Sequence, residues 1–229
     1  MRPGPLVIVA ARNEADRIGA TLDALRGAFP EAPLWVGDDA SGDGTAEVAM
    51  AHGARVVSRR RPHGKGANVT AAAEAALSDA TVPQLALLCD ADLGESAAKL
   101  VGLVAAVEDG SCDLAIAAFA RREGGGFGWA LGFARWAIER RCGYRAGAPI
   151  SGQRAMRAEV LREALPFAAG YGMEIGITVD AVRAGYRVRE LELNLSHRAT
   201  GRSLGGFVHR GRQLRDFVRA WWSRRNGRG

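Results

Sequence analysis

The stretch Leu85-Ala86-Leu87-Leu88-Cys89-Asp90-Ala91-Asp92 is a short apolar run that ends in two carboxylates spaced two residues apart. Pro83 precedes the run and acids follow it, and this combination predicts a buried strand. In open α/β sheets, ligands bind beyond the carboxyl ends of the strands, so we expect Asp90 and Asp92 at a binding edge. Carboxylates in that position suit a hard divalent cation, which in turn suits a phosphate-bearing ligand. The alternative is a solvated loop or helix N-cap in which aspartate serves only as a hydrogen-bond acceptor.

Strands and helices alternate on both sides of this run. The apolar pattern predicts further strands at residues 6–11, 34–36, 55–58 and 114–118, with a helical segment between each strand and the next. Later residues predict more helices, a turn-rich segment at 150–154 and a strand at 187–195. Such alternation is typical of an α/β fold with a mainly parallel central sheet covered by helices on both faces. Because no repeat or long linker divides the chain, we expect a single domain over residues 1–229.

Three polar loops follow successive predicted strands: Asp38-Asp39, His63-Gly64-Lys65-Gly66 and Asp90-Ala91-Asp92. In a parallel sheet these loops share one edge, where carboxylates would serve a metal ion and a cation or backbone N–H groups would serve phosphates. A coincidence of turn-forming residues is the alternative. The sequence contains neither a P-loop motif nor a dinucleotide-binding fingerprint after the first strand, so those two phosphate folds are disfavoured.

The charge of the chain is unevenly distributed. The formal net charge is +6, but residues 197–229 contain nine arginines and a single acid, which gives +8 in that segment alone. Such a segment could bind nucleic acid, an anionic membrane or an anionic substrate, and charge does not choose among them. Nucleic acid is the weakest of the three because no aromatic-rich strand and no recognisable reading helix accompanies the arginines.

The cysteines and the apolar runs indicate a cytoplasmic protein. Cys89, Cys112 and Cys142 are odd in number and lack the spacing of a metal site, which favours reduced thiols. The apolar run near residue 6 is too short for a signal peptide, and no run reaches the length of a transmembrane helix.

Several motifs, taken in order, resemble family 2 glycosyltransferases. They are Val9-Ala10-Ala11-Arg12-Asn13-Glu14, Asp38-Asp39-Ala40-Ser41-Gly42-Asp43-Gly44-Thr45, Gly64-Lys65-Gly66, Asp90-Ala91-Asp92 and Ser151-Gly152-Gln153-Arg154. This family has the GT-A fold and includes polyprenyl-phosphate sugar transferases. The stretch Gly170-Tyr171-Gly172-Met173-Glu174-Ile175-Gly176, followed by His197-Arg198, also resembles glucosyl-3-phosphoglycerate synthases. The resemblance implies a nucleotide-binding half at residues 1–118 and an acceptor half at 119–229.

Carried over to this chain, the resemblance implies a role for each matching residue. Asp92 would ligate Mg²⁺ or Mn²⁺ and act in catalysis, and His197 would be a second metal ligand unless it only caps a strand end. Glu174 would lie near the sugar, with an acid favoured by a helix N-terminus as the alternative. Arg154 would act in catalysis or bind the acceptor. The remaining implied substrate-binding residues are Ala11, Arg12, Glu14, Asp38, Asp39, Lys65, Asp90, Ala91, Gly152, Gln153 and Arg202.

The expected function is metal-dependent transfer of a hexose from a UDP- or GDP-linked sugar to an anionic acceptor. That acceptor would be a polyprenyl phosphate or a small phosphorylated acid. The competing class is a nucleic-acid- or anion-binding module that uses the arginine-rich C-terminus, but it leaves the acidic loops unexplained. A second copy of the same chain, in a homodimer, is a further expected partner.

Two further segments carry expectations. Residues 121–128 are charged and glycine-rich, which predicts a mobile loop that closes over the donor. Residues 204–222 have apolar positions at helical spacing, with arginines on other faces and Trp221-Trp222 at the end. We expect this basic C-terminal helix either to pack on the domain or to make a peripheral contact with the inner membrane face.

Overall fold

The computed structural model describes residues 4–79, 83–119 and 128–195. Its first part alternates strands and helices, as the apolar pattern predicts: β1 (Leu6–Ala11), α1 (Ile18–Ala28), β2 (Leu34–Asp38), α2 (Thr45–Ala51), β3 (Arg55–Ser58), α3 (Lys65–Leu77) and β4 (Leu85–Asp90). The segment after β4 is a 3₁₀ helix (Gly94–Leu100) that continues into α4 (Val101–Glu108) and then β5 (Leu114–Phe119). The second part contains α5 (Gly128–Cys142), β6 (Arg154–Arg157), α6 (Ala158–Ala164), a 3₁₀ turn (Gly170–Gly172), α7 (Met173–Arg183) and β7 (Val188–Leu193).

The strands of the described residues form one seven-stranded sheet in the order β3-β2-β1-β4-β6-β5-β7. All neighbouring pairs are parallel except those of β6, which runs antiparallel to both β4 and β5. The predicted α/β class with a mainly parallel sheet is therefore confirmed. The turn-rich segment expected at 150–154 instead leads directly into β6, a strand that the sequence pattern did not predict.

Two apolar layers cover the sheet, one on each face. Successive side chains of β4 point to opposite faces, so Leu87 and Cys89 join one layer while Ala86 and Leu88 join the other. The first layer packs the sheet against α1, α4 and the 3₁₀ helix between β4 and α4. The second packs it against α3, α6 and α7. Because β4 is buried on both faces, its run of apolar residues is continuous rather than alternating.

A third, smaller cluster joins α5 to α7, where Ala134 and Ile138 pack against Ile175 and Val179. All three cysteines are free thiols, as expected. Among the helices of the described residues, none combines the length and hydropathy needed to cross a bilayer.

Candidate functional site

The carboxyl ends of β1, β2 and β4 lie side by side, which brings the predicted acidic loops together. Ala11 of β1 is in register with Asp38 of β2, and Ala10 is in register with Asp90 of β4. The N-terminus of α3, which carries Lys65, reaches the same edge, since Lys65 contacts Asp90. The edge predicted from the loop composition is therefore present in the structure.

The ammonium group of Lys65, which is partly buried, is the centre of this edge. The ammonium Nζ of Lys65 lies 2.5 Å from Asp90 Oδ1 and 2.9 Å from Glu174 Oε1. Burial acts to lower the pKa of Lys65, but the two carboxylates outweigh it, so the pKa of Lys65 is raised well above its ordinary value. Lys65 is therefore a fixed positive charge at neutral pH. Glu174, at the start of α7, is almost fully buried, and its carboxylate is the deeper of the two partners.

The second oxygen of Asp90 is held by the turn that precedes β6. The side-chain amide of Gln153 donates to Asp90 Oδ2 at 2.9 Å, and the hydroxyl of Ser151 donates to Gln153 Oε1 at 3.2 Å. Between them, Gly152 approaches the ion pair so closely that an added Cβ would lie 2.5 Å from Lys65 Nζ and 2.6 Å from Asp90 Oδ2. A side chain at this position would displace the Lys65 ammonium or the Asp90 carboxylate, which explains one element of the motif at residues 151–154.

Asp39 fixes the loop that leads into α3. Its carboxylate accepts the backbone N–H groups of His63 at 2.8 Å and Gly64 at 3.0 Å, and Arg12 Nη1 lies 3.8 Å from Oδ2. Asp38 has a different partner, the hydroxyl of Ser41. Because both oxygens of Asp39 already bind backbone, Asp38 is the better candidate for recognition of a nucleotide base, whereas the sequence alone left the two equal.

The loops after β1 and β2 are joined by hydrogen bonds. Asn13 N–H donates to Ser41 Oγ at 2.8 Å, and the Glu14 N–H donates to Thr45 Oγ1 at 2.9 Å. In return, Asn13 Oδ1 accepts the N–H of Gly42 at 3.0 Å. Ala11 is buried beneath this pair of loops and Arg12 is exposed beside it. These hydrogen bonds thus attach the loop after β1, which carries the predicted pocket residues Arg12 and Glu14, to the loop after β2.

Asp92 lies two residues beyond β4 and is half-buried. Ala91 is buried, and its N–H continues the ladder by donating to Ala10 O at 3.0 Å. Arg17 Nη1 donates to the backbone carbonyl of Asp92 at 2.9 Å. Within residues 4–79, 83–119 and 128–195, no group of three or more His, Cys, Asp or Glu side chains is arranged to hold a metal ion. A cation bound at Asp92 would need its remaining ligands from the substrate, from water or from residues outside these ranges.

The structure places Arg154, predicted as a catalytic or acceptor-binding residue, in the interior of the protein. Its side chain is fully buried, Nε donates to Ser151 O at 2.8 Å, and Nη1 donates to Thr178 Oγ1 at 2.9 Å. Burial lowers the pKa of Arg154 to about 10, with Glu174 and Glu190 acting in the opposite direction. The guanidinium has no solvent access in this arrangement, and its Nη2 has no hydrogen-bond partner within the described residues. It connects the turn that carries Gly152 and Gln153 to α7.

Two contributors were missed by sequence reasoning. Glu190 of β7 accepts the N–H groups of Gly147 and Ala148, each at 2.9 Å, and thereby holds the segment that leads to Ser151. Thr21 of α1 contacts the backbone around Asp92. Thr21 could have been recognised from the sequence, because it is a polar residue within the apolar stripe of Ile18, Leu22 and Leu25. Nothing local marked Glu190, because its partners are distant in sequence.

Some predicted features lie outside the described residues. These are the metal ligand His197, the substrate-binding Arg202, all but the last residue of the loop at 121–128, and the basic helix at 204–222. The described chain ends at Leu195, and just before it Lys99 Nζ donates to Asn194 O at 2.7 Å. Lys99 belongs to the 3₁₀ helix that follows Asp92. The chain therefore leaves the described region from a point attached to the segment after β4.

Comparisons with known proteins agree with this geometry. The family model "Glycosyl transferase family 2" matches residues 6–165. Undecaprenyl-phosphate mannosyltransferase of Micrococcus luteus is 30% identical over 227 residues, covering 89% of this chain and 88% of that protein. An uncharacterised glycosyltransferase of Mycobacterium tuberculosis is 32% identical over 202 residues, covering 86% and 87%.

Solved structures of glucosyl-3-phosphoglycerate synthase from Mycobacterium tuberculosis are also similar. The complex with Mg²⁺ and UDP superposes with a TM-score of 0.78 at 26% identity, covering 99% of this chain and 81% of that one. The complex with Mn²⁺, UDP and glucosyl-3-phosphoglycerate has a TM-score of 0.76 at 26% identity, with the same coverage. The family model covers most of the chain, and relatives at 30% and 32% identity span nearly all of it, so the protein belongs to glycosyltransferase family 2.

Proposed function

We propose that this glycosyltransferase moves a hexose from a UDP- or GDP-linked sugar to an anionic acceptor, with Mg²⁺ or Mn²⁺ bound at Asp92. The observation that carries the proposal is the position of Asp92 beyond β4, beside the Lys65–Asp90–Glu174 cluster. The M. tuberculosis synthase, which shares this fold, binds Mn²⁺ or Mg²⁺ together with UDP.

The chemistry of the donor set fits a magnesium-type ion. Mg²⁺ is commonly held by one or two carboxylates together with substrate phosphates and water, so a full protein cage is not required. We assign the metal to Asp92, the second carboxylate of the pair, while Asp90 stays bound to Lys65 and Gln153. His197 is the second ligand that we propose. When bound, the cation neutralises the charge that develops on the departing nucleoside diphosphate.

The buried cluster would orient the sugar. Glycosyl transfer passes through a transition state with oxocarbenium character, in which positive charge develops at the sugar ring. Lys65 compensates the charges of Asp90 and Glu174 and fixes both carboxylates before the donor arrives. Preorganised carboxylates stabilise a developing positive charge without reorganisation at the moment of reaction. Asp90, the more exposed of the two, would accept hydrogen bonds from sugar or ribose hydroxyl groups.

The nucleotide would lie across the loops after β1 and β2. Asp38 would accept the ring N–H of uracil or guanine, Ala11 and Glu14 would line the pocket, and Arg12 would approach from its rim. Asp39 would act indirectly, because its carboxylate holds the backbone of His63 and Gly64 and so sets the start of α3. The N-terminus of that helix adds a favourable field for phosphate.

The acceptor would carry a phosphate. The relatives include an undecaprenyl-phosphate mannosyltransferase and a synthase that has been captured with phosphoglyceric acid and with glycerol 3-phosphate. An acceptor oxygen that is already ionised, as in a lipid phosphate, needs little help from a general base. A hydroxyl acceptor such as phosphoglyceric acid would need a carboxylate base.

A ligand panel tests the proposal. Thermal unfolding would be followed with UDP, GDP, UDP-glucose and GDP-mannose, each with and without Mn²⁺. We expect one nucleotide series to raise the melting temperature, and the rise to require Mn²⁺. Transfer of the radiolabelled sugar to undecaprenyl phosphate or to 3-phosphoglycerate would then identify the acceptor class. The proposal fails if no nucleotide series stabilises the protein at millimolar concentration.

A further inference from the structure

Thr21 of α1 is a fully buried threonine whose hydroxyl makes its shortest hydrogen bonds to residues outside the helix. Its Oγ1 donates to the carbonyl of Ala91 at 2.7 Å and accepts the N–H of Gly94 at 2.8 Å. The carbonyl of Arg17, one helical turn earlier, is more distant at 3.3 Å. The shorter contacts are therefore those to the segment after β4.

The two bonds bracket Asp92. Ala91 is the residue before it and Gly94 lies two residues after it, at a turn where Gly94 has a positive φ of 54°. Arg17 adds a third attachment, because its Nη1 donates to the carbonyl of Asp92 itself. Arg17, just before α1, and Thr21 in its first turn thus hold the backbone before, at and after the carboxylate to which we assign the metal.

The hydrogen bonds of the hydroxyl, rather than the shape of the side chain, explain why position 21 is a threonine. Ile18, Leu22 and Leu25 are buried on the same helix, so valine would fill the space equally well without burying a polar group. A buried hydroxyl is retained at low cost only where its hydrogen bonds are made. Here those bonds fix a loop rather than the helix that carries the threonine.

We propose that Thr21 is a positioning residue for the divalent cation, acting through the backbone of residues 91–94. The inference rests on the proposed function, because it takes Asp92 as a metal ligand. A carboxylate on a loop binds a cation well only if the loop is held in the binding geometry. Outer-shell partners of metal ligands typically contribute about 10- to 100-fold to metal affinity.

The test is a Mn²⁺ titration monitored by calorimetry and by thermal unfolding, at a fixed saturating concentration of UDP or GDP, whichever stabilises the wild type. Thr21→Val should raise the apparent Mn²⁺ dissociation constant about tenfold. Thr21→Ser keeps the hydroxyl and should titrate within a factor of two or so of the wild type. Hydrogen exchange at the Gly94 N–H should be faster in Thr21→Val and unchanged in Thr21→Ser.

Thr70→Val is the matched control. Thr70 is also a buried helical threonine, and its hydroxyl donates to Gly66 O at 2.8 Å and accepts the Phe167 N–H at 3.0 Å. Loss of the Thr70 hydroxyl should lower the free energy of unfolding as Thr21→Val does. The apparent Mn²⁺ dissociation constant should not change. An equal rise in the Mn²⁺ dissociation constant in both variants would show a general effect of reduced stability and would overturn the inference.

Failure of the inference and failure of the proposed function give different results. If nucleotide binding by the wild type depends on Mn²⁺ but Thr21→Val titrates like the wild type, the inference alone is wrong. If the wild type binds nucleotide without any metal dependence, the metal assignment at Asp92 falls and the inference falls with it. Should Thr21→Val not fold, Thr21→Ala removes the same hydroxyl in a smaller side chain. A severalfold weaker Mn²⁺ constant in Thr21→Ala supports the inference, and an unchanged one overturns it.

Discussion

At the scale of single residues, the site depends on one cation held between two carboxylates and on the lack of a side chain beside it. Lys65 compensates Asp90 and Glu174, and Gly152 leaves the space in which Lys65 and Asp90 meet. An ion pair of this kind is weak evidence for stability, since desolvation offsets much of the attraction. Its value lies in holding two carboxylates in fixed positions before the donor binds.

Lys65→Met should destabilise the protein by about 3 kcal/mol, because removal of one partner leaves buried charge uncompensated. The figure is at the lower end of the usual range because the Lys65 side chain is 22% exposed. The folded-state pKa of Lys65 is raised, so its contribution is complete below the unfolded value of about 10.4 and is lost as pH rises through the folded value.

Urea unfolding at pH 7 and pH 9 should therefore show the same deficit for Lys65→Met relative to the wild type. Arg60→Met, an exposed change in the loop before α3, should stay within about 0.5 kcal/mol of the wild type. A deficit that has already disappeared at pH 9 would be inconsistent with a raised pKa.

Gly152→Ala should weaken nucleotide-sugar binding about tenfold, or about 1.4 kcal/mol, with little change in fold. The added Cβ would lie within 2.6 Å of both Lys65 Nζ and Asp90 Oδ2, so the pair must separate. Gly27→Ala is the control, since its Cβ would meet nothing within 4 Å on an exposed part of α1. Isothermal titration with the nucleotide sugar should distinguish the two, and equal affinities would show that the close approach is unimportant.

At the scale of secondary-structure elements, Asp113 joins three strands. It immediately precedes β5, and its carboxylate accepts Arg157 Nε at the end of β6 at 2.9 Å. It also accepts the backbone N–H of Arg187, just before β7, at 2.9 Å and Arg187 Nε at 3.0 Å. Hydrogen bonds from the Arg187 side chain are the main cause that lowers the pKa of Asp113 to about 2, while burial opposes them.

Asp113→Asn should lower the free energy of unfolding by about 2 kcal/mol at neutral pH, because the variant loses the contacts that lower the pKa of Asp113 to about 2. Because the folded-state pKa is depressed, this stability is present above the unfolded value of about 3.9 and is lost as pH falls through 2. Unfolding curves at pH 7 and pH 2.5 should show the gap between variant and wild type narrowing on acidification. Glu108→Gln, exposed at the end of α4, should show no such gap. A gap that is constant with pH would contradict the assignment.

Most elements could be predicted from sequence because each has a strong local pattern. β1 was predicted at residues 6–11, its bounds in the structure, and β4 was recognised from a continuous apolar run that only a doubly covered strand carries. β6 could not be predicted. It has four residues, two of them arginines, and it forms only because β4 and β5 leave a gap between them for an antiparallel strand.

The sheet edge that carries the site could be predicted from sequence, but the contacts among its side chains could not. Strand ends and acidic loops placed Asp38, Asp90 and Asp92 together without knowledge of their partners. The contact of Lys65 with Glu174 joins the start of α3 to the start of α7, and no local pattern reports it. The burial of Arg154 has the same origin, since Thr178 of α7 and Ser151 enclose it only once the sheet and helix are packed.

At the scale of the whole molecule, the chain combines a glycosyltransferase fold with a strongly basic C-terminal segment. Residues 197–229 carry a net charge of +8, and Trp221-Trp222 stand among its arginines. Each arginine close to an anionic membrane contributes about 1 kcal/mol, and tryptophan favours the headgroup region. If the acceptor is a lipid phosphate, this segment provides the means to reach it.

Flotation with liposomes that contain anionic lipid tests this idea. The intact protein should float with them at low salt, and binding should weaken as salt is raised, because the attraction is electrostatic. A chain that ends at residue 216 should bind markedly less, and liposomes of neutral lipid serve as the control. If the intact protein does not float, a small phosphorylated acid becomes the favoured acceptor.

The most direct test of the central claim, that the carboxyl end of β4 is a metal–diphosphate site, is the thermal stabilisation of Asp92→Asn by UDP or GDP with Mn²⁺. Without ligand the variant should keep its fold, because Asp92 is half-buried on a loop and its carbonyl still accepts from Arg17. In the wild type, nucleotide at a hundred times its dissociation constant should add about 2.7 kcal/mol of stability in the presence of Mn²⁺. Asp92→Asn should lose the part of that gain that depends on Mn²⁺. The same Mn²⁺-dependent gain in the variant and in the wild type would contradict the account.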